Sequence, residues 1–328
     1  MTPRISPITS HQSLRTSLSD AIAQLDREHV PSAALAAELL LMHTLGRDRT
    51  WIYAHPEHEL DPAARERYFS LIARRASGVP TQHLTGHQEF WGLDFEVTPD
   101  VLIPRPETEH VIEVALQQVA RASACGGWSG HGHTCSNQIP QAEACATGKF
   151  RIADVGTGSG CIAIALAHEL PDAQVVATDI SVAALEVARR NADRHNVRER
   201  ISFIECNLLD AFHHQSPVTS HQPTYFDLIA SNPPYISLRD AETLPCEVRE
   251  HEPAEALFGG ETGTEIYAPL ITQAAKLLKP GGILVLELGH DSANHVSHLL
   301  NASEWTCVTI TNDLAGIPRV ASAQRDSS

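Results

Sequence analysis

The sequence is short of positive charge. Only 24 lysines and arginines stand against 40 aspartates and glutamates in 328 residues, a formal net charge of −16. A surface of that balance repels a polyanion and disfavours nucleic acid as a substrate. Long hydrophobic runs are also missing. The longest, such as Leu39-Leu40-Leu41-Met42, fall far below the ~20 residues of a membrane span. The stretch 1–10 lacks the apolar core of a signal peptide, so the expectation is a cytoplasmic protein with no membrane contact. Paired cysteines are absent too: the seven present are an odd number with no CxxC. They fit reduced thiols better than a disulfide framework, and Cys161, Cys206, Cys246 and Cys307 read as small neutral residues. His131-Gly132-His133 with Cys125, Cys135 and Cys145 matches no tetrahedral zinc spacing, so no metal is expected.

What is present is ample apolar material, 42% of residues. That is enough for a sizeable core in a chain long enough to split into two domains. Up to about residue 85 the pattern is helical. Leu18 to Leu25 is periodic, Ser32 stands where it can cap a helix running from Ala33 toward Gly46, and Asp61-Pro62 opens a third helix that Gly78-Val79-Pro80 ends. From Gln88 to Val101, Phe90, Leu93, Phe95 and Val97 flank the turn-prone Gly92, which reads as a hairpin. Strand and helix signals then alternate to the end, the signature of a doubly wound α/β fold with a mostly parallel sheet. The expected division is a helical domain at 1–85, a β-hairpin linker at 86–108 and an α/β domain at 109–328. Polar, aperiodic insertions at 122–148 and 213–224 interrupt the last of these.

Gly156, Thr157, Gly158, Ser159 and Gly160 follow an apolar strand and open an apolar helix. Such a turn lets backbone amides approach a ligand at a helix N-terminus, although a GxGxG alone is also compatible with a merely tight turn. Asp179 ends the next strand about 20 residues on, where an acid can hold two ribose hydroxyls. It also precedes a helix, but Ser181 is better placed to cap it. After the fourth strand of the α/β region stands Asn232-Pro233-Pro234-Tyr235. Two prolines remove two backbone donors and stiffen the chain. The Asn232 side-chain oxygen and the Pro233 carbonyl are left to accept both protons of a planar NH2 group, with Tyr235 as an aromatic wall.

These residues together resemble the class I S-adenosylmethionine methyltransferases that act on planar nitrogens. Further segments narrow the resemblance: Gly86 to Gly92, Val101-Leu102-Ile103-Pro104-Arg105-Pro106-Glu107-Thr108-Glu109, Glu252 to Gly260, and Asp313 to Arg319. With them the chain is similar to the HemK family, the peptide chain release factor glutamine N5-methyltransferases, over about residues 33–320. The resemblance implies S-adenosyl-L-methionine as cofactor and the Gly-Gly-Gln glutamine of bacterial class I release factors as acceptor. The helical domain would help engage that protein, and a monomer would be the working unit.

Carried over by position, Gly156 to Gly160 and Asp179 contact the cofactor. Asn232, Pro233, Pro234 and Tyr235 hold the glutamine, with Asn232 close to both ligands. Asn207 and Leu208 stand where the family often has an acid followed by an aromatic near the adenine, and this chain has neither. Arg105 reads either as serving substrate recognition or, as the flanking Pro104 and Pro106 favour, as tying the hairpin to Glu107 or Glu109. Glu252 and Glu255 read as a helix start or, as the resemblance favours, as a substrate rim. The competing readings are glutamine methylation of a ribosomal protein, adenine N6 methylation of nucleic acid, which would need a basic groove, and a non-enzymatic docking module. No His or Glu stands out as a general base, so the expected catalysis is positioning plus electrostatics.

Overall fold

The computed structural model describes residues 13–124, 150–212 and 226–326. Most of both insertions, and with them His131, His133 and Cys125, Cys135 and Cys145, lie outside the described residues. The described chain divides into two compact units, 1–87 with 245–251, and 88–244 with 252–328.

The smaller unit is helical: α1 (Leu14–Arg27), α2 (Ala33–Leu45), α3 (Arg49–Ala54), α4 (Pro62–Ala76) and α5 (Thr81–Thr85). Its core is aliphatic, with Leu25, Leu40, Leu41 and Ile72 sealed around Tyr68, whose hydroxyl donates to the Ala37 carbonyl at 3.1 Å. Asp61 caps α4 as expected, accepting from Ala64 N at 2.8 Å. Ser32 does not cap α2. It is left-handed, at φ 52°, and its side chain makes no cap hydrogen bond, which leaves the apolar stripe as the source of that helix's stability. The Arg75 guanidinium is buried and pairs with Glu247 at 2.5 Å.

The larger unit starts within a hairpin of β1 (His87–Phe90) and β2 (Leu93–Glu96), whose first residue alone falls to the smaller unit. Trp91 and Gly92 both adopt positive φ, at 55° and 69°, the requirement of the two-residue turn whose twist matches paired strands. Then follow α6 (Glu109–Ala124), β3 (Arg151–Val155), α7 (Cys161–Glu169), β4 (Gln174–Asp179), α8 (Val182–Arg194), β5 (Ile201–Glu205) and β6 (Phe226–Ser231). The helix α6 outruns residue 122, where the expected insertion begins. Two one-turn helices come next, α9 (Cys246–Arg249) in the smaller unit and α10 (Ala254–Leu257), then α11 (Tyr267–Leu277), β7 (Leu278–Glu287), α12 (Ala293–Leu300), β8 (Trp305–Asn312) and β9 (Pro318–Arg325).

The sheet order is β5-β4-β3-β6-β7-β9-β8, parallel except that β9 runs antiparallel to both of its neighbours. Alternating strand residues feed two cores. Ile152, Val175, Leu228 and Val285 pack with α6, α7 and the hairpin's Phe90 and Phe95. Ala153, Val176, Ile229 and Leu284 pack with α11 and α12. Because both faces are covered, β6 is buried at all six positions, as a central parallel strand must be.

Asn191 of α8, wholly buried, ties the hairpin to the glycine turn. Its Nδ2 donates to the carbonyls of Glu96 and Ser159 at 3.0 and 2.9 Å, and its Oδ1 accepts from Glu96 N at 2.7 Å. Asn191→Ala leaves three backbone groups without partners and should lower unfolding free energy by about 2–4 kcal/mol. Urea denaturation of variant and wild type checks this, and a shift below about 1 kcal/mol would contradict the bridging role.

Candidate active site

The site is assembled by strand register. Val155 pairs with Thr178 on one side and Ser231 on the other, and Ser231 pairs with Leu286. One residue beyond, at the carboxyl ends of β4, β3, β6 and β7, stand Asp179, Gly156, Asn232 and Glu287 in a row, with neighbouring strands ~4.8 Å apart. Open parallel sheets bind ligands at this edge. The buried Ser231 hydroxyl locks the centre of the row by donating to the Val155 carbonyl at 2.6 Å.

At the glycine end, Gly156 N and Thr157 N both donate to the Thr178 carbonyl, at 2.8 and 2.9 Å. Gly158 N donates to Asp179 Oδ2 at 2.9 Å, and Ser181 N to Asp179 Oδ1 at 2.9 Å. Ser181 itself caps α8 through Ala184 N, so Asp179 is not the cap. Burial raises the Asp179 pKa, against the pull of those backbone donors. Cβ atoms built at Gly156 or Gly158 meet nothing within 4 Å, whereas at Gly160 one would lie 3.0 Å from Ile164 Cδ1 and 3.1 Å from Ala188 Cβ. The first two glycines thus face open space, and the third lets α7 begin close against α8. Beneath the turn Asp154 is fully buried, accepting from Thr157 Oγ1 at 2.6 Å and Ala163 N at 3.0 Å. Burial lifts its pKa to about 7, with the Asp179 charge adding to the rise and those two donors opposing it.

At the asparagine end, Asn232 Nδ2 donates to the Thr108 hydroxyl at 3.0 Å. Among the described residues nothing donates to Asn232 Oδ1 or to the Pro233 carbonyl. Tyr235 OH donates to Glu287 Oε1 at 3.2 Å. Glu287 is wholly buried, and burial lifts its carboxyl to about 7. The Thr108 hydroxyl, the Arg319 charge and Tyr235 act against that rise, and Glu107 adds to it.

A single segment braces both halves of this end. Glu252, its side chain buried, pairs with Arg105 at 2.5 Å and accepts from Ile103 N, which fixes the stretch leading to Thr108. Arg105 therefore holds Glu252, not Glu107 or Glu109, and Glu252 is an internal clamp, not a rim. Farther along the same segment, Ile236 N donates to the Leu257 carbonyl, and Gly259 N to the Ile236 carbonyl, at 2.9 and 3.0 Å. A Cβ at Gly259 would collide with the Pro234 carbonyl oxygen, so only glycine lets the two segments approach.

Asn207 and Leu208 lie after β5, three strands from the one that Asn232 follows. Asn207 is exposed, while Leu208, at φ 49°, packs partly against the core. Gln273 of α11 holds their turn, accepting from Leu209 N at 2.8 Å. Thr108 and Glu287 are the members that sequence reasoning missed, and Ile180, next to Asp179, is half-exposed.

The chain matches the family model of the PrmC N-terminal domain at residues 16–86, and that of a methyltransferase domain at residues 147–316. A Koribacter versatilis protein named release factor glutamine methyltransferase is 39% identical over 315 residues, covering 96% of this chain and 99% of that protein. Its namesake in Moorella thermoacetica is 40% identical over 95% of this chain and 98% of its own. Among solved structures, the hMettl16 catalytic domain in complex with MAT2A 3'UTR hairpin 1 superposes with a TM-score of 0.52. The identity is 16%, over 79% of this chain and 81% of that one, a likeness of fold alone.

Glu287 binds a proton more tightly folded than unfolded, so its contribution to stability falls as pH rises from the ordinary glutamate range through about 7 and is level above that. The urea midpoint of Glu287→Gln should therefore gain on that of wild type between pH 5 and 8. A constant difference would show that Glu287 does not titrate in this window.

Proposed function

Because the chain belongs to the release factor glutamine methyltransferase family, we propose that it methylates N5 of the glutamine in the Gly-Gly-Gln loop of a bacterial class I peptide chain release factor, using S-adenosyl-L-methionine. The observation that carries this reading is the row at the sheet edge, in which an asparagine with an unengaged oxygen is the register neighbour of a glycine turn open to a ligand.

The turn fits the cofactor. The space over Gly156 and Gly158 admits it against the main chain of Gly156 to Gly160. Each Asp179 oxygen accepts one N–H and keeps lone-pair capacity for a ribose hydroxyl. Ile180 supplies apolar surface for the adenine, with Asn207 and Leu208 at its far edge. When bound, S-adenosyl-L-methionine supplies a sulfonium-borne methyl, whose carbon–sulfur bond breaks toward sulfur as the nitrogen–carbon bond forms.

The chain's own task is to make an amide nitrogen nucleophilic. Asn232 Oδ1 and the Pro233 carbonyl accept its two N–H bonds and hold its lone pair toward the methyl donor, while Pro234 and Tyr235 wall the slot. Positioning of this kind supplies up to ~7–11 kcal/mol of barrier lowering. One amide proton leaves to water as charge develops on nitrogen. The helical unit serves to grip the release factor, one chain is the working unit, and the acidic balance of 40 to 24 favours a protein over a polyanion. No helix of the described residues is long and apolar enough to cross a membrane, and the work is assigned to the cytoplasm.

Labelled-methyl transfer with purified release factor, ribosomal protein and DNA in parallel, followed by peptide mapping, tests the reading. Label should appear on the Gly-Gly-Gln glutamine, and label on DNA or ribosomal protein alone would overturn it. Asn232→Ala should lose ~10²-fold or more in kcat while calorimetry finds the cofactor Kd within a few-fold of wild type. Near-normal turnover would refute the role given to Asn232.

A further inference from the structure

We propose that Thr108 and Glu287 act together as positioning residues that decide which end of the Asn232 carboxamide faces the acceptor glutamine. The inference rests on the functional reading above and adds to it the source of the slot's polarity.

A carboxamide is nearly symmetric in shape, so packing alone does not tell its oxygen from its nitrogen, and only hydrogen bonds do. With Nδ2 toward Thr108 Oγ1, Asn232 presents Oδ1 to the other side and accepts an N–H. Turned over, it would present NH2 to NH2, two donors and no acceptor. The polarity of the slot is therefore set at Thr108, which is buried at 2% exposure.

The Thr108 hydroxyl has one proton, and while it accepts from Asn232 that proton must point elsewhere. That proton is assigned to Glu287. Its Oε1 takes the Tyr235 hydroxyl, and its Oε2 is buried without a well-formed hydrogen bond among the described residues. The Thr108 hydroxyl is among the groups that favour the ionised form of this carboxyl. An ionised carboxylate can only accept. It therefore draws the Thr108 proton toward itself, leaves Thr108 only lone pairs for Asn232, and obliges Asn232 to offer its NH2. A protonated Glu287 donates instead. Thr108 is then free to turn its proton toward Asn232, and the preference for one orientation of the amide is lost.

The groups facing Glu287 come from every element around it. Tyr235 follows β6, Glu107 precedes α6, Arg319 lies on β9 and is paired with Asp313 at 3.1 Å, and Tyr267 of α11 donates to the Glu287 backbone carbonyl at 3.1 Å. Burial and Glu107 hold the proton on, and Arg319, Tyr235 and Thr108 draw it off, with the balance near pH 7. Protonation of Glu287 is accordingly expected to give turnover an acid limb.

The test is steady-state methyl transfer to release factor across pH 6 to 9 by wild type, Thr108→Val, Thr108→Ser and Glu287→Gln, with cofactor affinity measured by calorimetry on the same samples. Thr108→Val, which keeps the shape and removes the hydroxyl, should lower kcat by ~10² with cofactor Kd within about threefold. Thr108→Ser should restore most of the loss. Wild type should show an acid limb near pH 7, and Glu287→Gln should lower kcat and lack that limb. If Thr108→Val fails to bind cofactor and so proves misfolded, the Glu287→Gln pH profile decides alone. Near wild-type kcat in Thr108→Val, or an acid limb persisting in Glu287→Gln, would overturn this inference and leave the functional reading standing. Failure of wild type to label release factor would overturn both.

Discussion

Everything at the site depends on in-register parallel pairing of β4, β3, β6 and β7. A parallel ladder holds each chain at one height relative to its neighbours, and slipping it by one residue turns every side chain to the opposite face. Burial of β6 on both sides makes such a slip prohibitive, since Leu228 and Ile229 would exchange cores. The chemistry is therefore aligned by hydrophobic packing several residues below it. Asp179, Gly156, Asn232 and Glu287 are level because Val155, Thr178, Ser231 and Leu286 are.

Alignment sets height and leaves direction open, and direction is the work of buried polar groups. Asp154, Asp179 and Glu287 are acids in apolar surroundings, each with its ionised form disfavoured by burial. Such groups are costly to a fold unless partnered. Here their partners are the parts that must be aimed: the Gly158 amide for Asp179, the Thr157 hydroxyl for Asp154, the Tyr235 ring for Glu287. Surface pairs such as Arg194–Asp94, at 2.5 Å and half exposed, belong to a different class and contribute at most about 1 kcal/mol.

Architecture was legible where chemistry repeats along the chain. Alternating apolar strands and helices announced the doubly wound sheet, and the glycine turn, Asp179 and the diproline string could be picked out because their residue types are unusual for their positions. Other members of the site carried no such mark. Glu287 ends an apolar run, Ile283 to Leu286, where a single acid reads as the strand's exit to solvent, and only the register shows it beside Asn232. Thr108 is a small hydroxyl residue between two glutamates, and its partner lies 124 residues away. The strand β9 passed unnoticed because Val320-Ala321-Ser322-Ala323 is small and weakly β-forming. It is specified by the space between β7 and β8, not by its own propensity. Ser32 misled because the residue type suits a cap but its backbone is left-handed.

The place of β9 carries a consequence for biosynthesis. It follows the other described strands in chain order, yet it fills an interior slot of the sheet. Until Pro318–Arg325 has emerged from the ribosome, β7 offers one bare ladder of amides and carbonyls, and β8 has no partner in the order seen here. A nascent chain halted before that point carries the glycine turn and Asn232 beside an adhesive edge. Prematurely terminated copies are therefore expected to need chaperones or to be degraded, and not to persist as partly active fragments.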